Sequence, residues 1–80
     1  MNLSEVRPGE KFKIDFIPEE KIRAQILRFG ISDGSEVICE EKVPGGPIII
    51  KKNFQEIALG RKLAQSISIT LKEGEISGVS

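Results

Sequence analysis

The chain has 80 residues, 39% hydrophobic and 30% charged, the balance of one small globular domain with no room for a second. Histidine, tryptophan and tyrosine are absent and cysteine occurs once, which excludes a disulfide framework, a Cys/His zinc site and any catalytic pair built on histidine. Twelve basic side chains balance twelve acidic ones, so the chain as a whole is no polyelectrolyte partner for nucleic acid or anionic lipid.

A domain of this size buries only roughly 60–65% of its extended-chain surface, so its core must be dense. Thirteen isoleucines, against five leucines and four valines, supply it. Isoleucine is stiff at χ1 and suits a pleated, half-buried surface, which favours a mainly β protein. No apolar run approaches the ~18 residues of a membrane span. Met1 to Pro8 has no basic-then-apolar leader, so the expected location is the cytoplasm with no membrane insertion.

In chain order, Pro8-Gly9 fits the centre of a type II turn. Phe12, Ile14 and Phe16 then alternate with Lys11, Lys13 and Asp15 as a half-buried strand, closed by Ile17. Pro18 to Phe29 reads as the one true helix, with Pro18 at its first position and Glu19 and Glu20 at the positive dipole end. Ile22, Ile26 and Phe29 form its apolar stripe, widened by Leu27. Glu19 and Arg23 stand as an i, i+4 pair worth about 0.3 kcal/mol. Gly30 comes next as a left-handed cap, and Ile31 falls where a Schellman motif returns a hydrophobic contact, onto Ile26.

Ser32-Asp33-Gly34-Ser35 is a turn, and Glu36 to Lys42 a strand with Val37 and Cys39 on one face. Pro44-Gly45-Gly46-Pro47 is a strong breaker. Ile48-Ile49-Ile50 is a short buried strand, Lys51-Lys52-Asn53 the next turn, and Phe54 to Leu59 a returning strand. Gly60 to Ala64 holds one short helical turn. Ile67, Ile69 and Leu71 alternate with Ser66, Ser68 and Thr70 as the last strand. Lys72 to Ser80 is polar and glycine-containing and is expected to fray, so residues 1–72 form the domain and 73–80 a flexible tail. Five short strands with a helix in the first long connection give the SH3-like barrel pattern, with an OB-like barrel as the rival.

Several stretches together resemble the FeoA family, small cytosolic proteins of bacterial ferrous iron uptake. These are Leu3-Ser4-Glu5-Val6-Arg7-Pro8-Gly9-Glu10, Arg23 to Ile31, Ser32 to Val37, Pro47-Ile48-Ile49-Ile50 and Glu56 to Arg61. Asp33 stands where the family usually has proline before Gly34, and Asn53-Phe54 where it often has glycine. The same domain resembles the C-terminal domain of diphtheria-toxin-repressor-like regulators. The resemblance implies an SH3-like five-stranded barrel that assists the ferrous iron permease, with the permease's cytosolic GTP-hydrolysing domain as docking partner.

The residues themselves offer little chemistry. Cys39, Glu40 and Glu41 stand in a row, with Cys39 and Glu41 on one strand face; a core cysteine beside solvated glutamates explains them better than an iron site. Gly45-Gly46 is no phosphate loop, because no Gly-Lys-Ser/Thr comes after it. Neither an enzyme nor a cofactor is expected. Lys51, Lys52 and Phe54 gather at one hairpin tip. A solvated turn with a packed phenylalanine explains them best; stacking on nucleic acid would use such residues, but the balanced charge argues against it, and Phe54, if exposed, marks a protein contact. Ile26, Leu27, Phe29 and Ile31 either pack the core or line a groove between the helix end and the barrel. The expected partner-binding residues are therefore Ile26, Leu27, Phe29, Ile31, Lys51, Lys52 and Phe54. The leading reading is an adaptor of the permease; a stand-alone metal-sensing domain and a nucleic-acid-binding barrel are the alternatives, and weak self-association is left open.

Overall fold

In the computed structural model, which describes residues 1–72, the alternating N-terminal segment becomes strand β1 (Lys11–Phe16). Helix α1 (Glu20–Leu27) comes next, then β2 (Glu36–Lys42), β3 (Ile48–Lys52), β4 (Gln55–Leu59), the one-turn helix α2 (Arg61–Ala64) and β5 (Ser68–Leu71). A 3-10 turn, Leu3–Glu5, precedes them, closed by a capping box between Asn2 and Glu5. The expected tail, residues 73–80, lies outside the described residues.

All strand pairings are antiparallel, in the order β4-β3-β2-β1-β5. This is the mainly β, SH3-like layout, with one helix between β1 and β2 and a helical turn before β5. The margin formed by β5 is covered from outside: Ile69 N–H donates to the Met1 carbonyl and Leu3 N–H to the Ile67 carbonyl, both at 2.9 Å. The core collects Phe12, Ile14 and Ile17 from β1 and its exit, Ile31, Ile48 and Ile50, and Ile67 and Ile69 from the entry to β5 and the strand itself. Among the described residues no polar side chain is buried, so the core rests on apolar burial, at about 25 cal/mol per Å².

Two β-bulges bend the sheet and correct the strict alternation. In β1 the register shifts between Ile14, opposite Ile69, and Phe16, opposite Ser68. The extra residue turns Phe16 outward, half exposed, and lets Ile17 take the inner position at 0% exposure. In β2 the shift falls between Cys39 and Glu41. Val37 and Cys39 point inward, but Glu41 is exposed like Glu40, so the expected shared face of Cys39 and Glu41 is not formed.

The helix is shorter than its sequence pattern. Glu19 is extended, at φ −86 and ψ 118, and forms the N-cap, so α1 starts at Glu20 and Pro18 stays outside it. The strand ends at Phe16, Ile17 is buried just beyond it, and the extended Glu19 brings the chain into the helix. Arg23 then reaches Asp33, at 3.5 Å, rather than Glu19. Lys51 and Lys52 belong to β3, and the hairpin loop is Asn53-Phe54, because Lys52 pairs with Gln55. Asn53 takes φ +58 there, a left-handed conformation that asparagine tolerates.

Candidate functional site

The end of α1 is fixed by its cap. Gly30 has φ +77, Ile31 N–H donates to the Ile26 carbonyl at 3.3 Å, and Gly30 N–H donates to the Leu27 carbonyl at 2.9 Å. This is the Schellman arrangement. Ile26 and Ile31 sit inside the core, 3% and 0% exposed, and present no surface. The residues between them turn outward: Leu27 is 59% and Phe29 42% exposed.

The β3–β4 hairpin tip meets this helix end. The Lys52 ammonium donates to the Gly30 carbonyl at 2.9 Å, a charge-assisted bond that ties the tip to the cap. Phe54, at the tip, is 98% exposed. Three large apolar side chains, Leu27 at the end of α1, Phe29 after it and Phe54 at the hairpin tip, thus stand in solvent on two segments joined by one lysine. Period two along β3 splits the neighbouring pair of lysines. Lys52 serves the helix cap, whereas Lys51 lies opposite the outward Ile38 on the other face of the sheet.

Beside α1 runs an open groove of about 380 Å³. Ile17, Ala24 and Leu27 supply its apolar wall, and Glu20, Arg23 and Asp33 its polar rim. The Asp33-Gly34 turn that forms one bank is closed by Ser35 N–H donating to the Ser32 carbonyl at 3.0 Å. The sequence singles out Leu27 but not the rim, because a contact between Arg23 and Asp33 depends on where the chain returns after Gly30. Ile26, Leu27 and Phe29 share a helical pattern; which of them faces water is decided by the cap.

The thiol of Cys39 is 1% exposed, with its Sγ 3.9 Å from the Glu41 carbonyl oxygen. Burial pushes its pKa up from the ordinary value, which disfavours the thiolate that a nucleophile or soft metal ligand needs. Among the described residues, no three Cys, Asp or Glu side chains converge as a ligand set, and no helix is long and apolar enough to cross a membrane.

Fold and surface together define a small SH3-like barrel that offers exposed apolar side chains on its loops. The chain belongs to the FeoA family, whose domain model matches residues 1–71. It is similar to the crystal structure of an iron uptake regulatory protein, FeoA, at 29% identity and a TM-score of 0.76, covering 89% of this chain and 96% of the other. A FeoA-like protein from Clostridium acetobutylicum is 31% identical, with a TM-score of 0.72 and coverage of 90% and 86%. FeoA from Chlorobium tepidum, at 23% identity, shares the fold with a TM-score of 0.80 over 90% of this chain and 70% of that one. A comparison with the curated proteins finds no match. Membership of the family implies a role in a ferrous iron transport system as an accessory domain.

Proposed function

We propose that this chain is an adaptor that docks on the cytosolic GTP-hydrolysing domain of a ferrous iron permease, at the cytoplasmic face of the membrane. Contact would run through Leu27, Phe29, Lys52 and Phe54. The observation that carries this reading is the exposure of Phe54, at 98%. An exposed phenylalanine at a hairpin tip gains about 1.5–3 kcal/mol when a partner buries it. Leu27 and Phe29 extend that surface, and the Lys52 bond to Gly30 holds the two loops in one arrangement before binding. Ile26 and Ile31 support the surface from inside.

The test is a titration of the isotope-labelled chain with the permease's cytosolic domain. Amide shifts clustered at Leu27, Phe29, Lys52 and Phe54 are expected. Phe54→Ala should weaken binding by roughly tenfold or more. Absence of shifts at these positions, or an unchanged affinity in that variant, would refute the assignment.

A further inference from the structure

The turn between α1 and β2 carries a reactive step that the fold holds in check. Asp33 is followed by Gly34, which has no side chain to shield its backbone nitrogen. The other aspartate, Asp15, precedes Phe16, whose bulk crowds the same approach. An aspartyl side chain can react with the next backbone nitrogen within one chain. The Gly34 nitrogen would lose its proton to solvent and bond to the Asp33 side-chain carboxyl carbon. The hydroxyl of that carboxyl would leave, protonated, as water, and a five-membered succinimide would remain. Water then adds to one of its two carbonyls and breaks one C–N bond. One product is aspartate again. The other is isoaspartate, in which the backbone runs through the side-chain carboxyl carbon.

In the folded chain both reacting groups are engaged. The turn is closed by Ser35 N–H donating to the Ser32 carbonyl at 3.0 Å and by Ser32 N–H donating to the Ser35 hydroxyl at 2.9 Å. Two bonds then dock it on β1. Gly34 N–H donates to the Ile14 carbonyl at 2.6 Å, and Ile14 N–H donates to the Ser35 carbonyl at 2.8 Å. The nitrogen that would attack is therefore the donor of a short bond into the sheet, and its proton is not free to leave. The Asp33 carboxylate lies 3.5 Å from the Arg23 guanidinium across the groove beside α1. Both of these side chains are largely open to water, so that pair restrains the carboxylate weakly. The bond to Ile14 is the stronger hold. Asp33 and Gly34 are exposed, so the water that opens the succinimide is at hand.

We propose that Asp33-Gly34 is a modification site controlled by the fold: it stays intact while Gly34 N–H is bonded to Ile14, and converts to isoaspartate when the turn lifts from β1. Conversion then acts back on the structure. One extra backbone carbon between Asp33 and Gly34 carries the Gly34 N–H out of line with Ile14 and moves the carboxylate relative to Arg23. The bank of the groove is then no longer held in its original place. The inference does not rest on the docking reading, since Phe54 takes no part in it.

The experiment keeps the full chain in warm, neutral buffer, with a synthetic peptide of residues 28–38 as the unstructured reference. Isoaspartate is counted with a methyltransferase that esterifies isoaspartyl carboxylates, and is placed by peptide mapping. Opening of the turn is measured separately, as hydrogen exchange of the Gly34 amide. Both processes need the same N–H freed from Ile14. The chain should therefore convert more slowly than the peptide by the factor that protects the Gly34 amide, about tenfold or more. Ser35→Ala removes the hydroxyl that accepts from Ser32 N–H, and should raise exchange and conversion by the same factor. The converted chain, separated by chromatography, should show shifted amides at Ile14, Gly34 and Ser35. Equal rates in chain and peptide would overturn the proposal, as would a peptide that forms no isoaspartate. So would a slowing that does not follow Gly34 protection in the chain and its Ser35→Ala variant, or a converted chain whose amides at the turn are unmoved.

Discussion

Phe54 and Ile31 are both bulky apolar side chains on connections, yet one is 98% exposed and the other 0%. Their substitutions should therefore separate folding from binding. Ile31→Ala removes buried methyl groups beneath the helix cap and should destabilise by about 2–5 kcal/mol. Phe54→Ala should leave stability within about 0.5 kcal/mol, as read by urea denaturation of both variants. A third residue, Cys39, is sealed beneath β2 at 1% exposure. Its thiol should resist alkylation in the folded protein and react on denaturation, tracked by mass; rapid native-state labelling would contradict the burial. Sequence period alone identifies Phe12 and Ile14 as inward and sets Val37 and Cys39 on one face, but it does not separate the half-buried Ile49 from the buried Ile48 and Ile50, which read as one apolar run. It fails at Phe16, because period two holds only while each residue faces one partner, and the bulge at Asp15 breaks that condition.

At the scale of elements, α1 shows why local signals are legible and tertiary ones are not. Its cap is written in consecutive residues: a glycine free to take φ +77 and a hydrophobic residue after it. Gly30→Ala should destabilise by about 1–2 kcal/mol, the penalty of a left-handed L-residue. The added Cβ would lie 3.8 Å from the Lys52 ammonium, an ordinary contact, so Gly30→Asn should recover part of the loss in the same denaturation assay. The start of α1 is less legible, since Pro18 satisfies the rules for a first helical position but Glu19 is extended and forms the N-cap, which leaves Pro18 outside the helix. The role of α2 is not legible at all. Arg61 sends its Nε to the Gly46 carbonyl at 3.1 Å and its terminal nitrogen to the Val43 carbonyl at 2.7 Å, pinning the proline-glycine loop between β2 and β3. Arg61→Met keeps the aliphatic stem and removes both bonds. It should destabilise by about 1–3 kcal/mol, and faster amide exchange at Gly46, which donates to Val43, should accompany the loss.

Across the whole molecule the sheet has two margins, and they are treated differently. The β5 margin is occupied by Met1 to Leu3. The β4 margin carries Gln55, Glu56 and Ala58 as exposed residues on a short strand, a charged and brief edge that discourages further pairing. The Glu36–Lys72 pair links β2 to the end of β5 across β1, so titration should act on how the sheet is held together. The Lys72 ammonium, by hydrogen bond and by charge, lowers the pKa of Glu36 below its ordinary value. A carboxyl whose folded pKa is depressed stabilises the fold above its unfolded pKa, and that contribution is lost as pH falls through the ordinary carboxylate range to the folded value. Cys39 works in the opposite direction. Burial raises its folded pKa, so its contribution is complete below the unfolded thiol pKa of about 8.5 and fades as pH rises beyond it. Thermal unfolding measured across pH should therefore lose stability on both sides. Glu36→Gln should reduce the acid loss and leave the alkaline one, and Cys39→Ala should do the reverse. An alkaline loss unchanged in Cys39→Ala would show that the thiol ionises as readily inside the core as outside it.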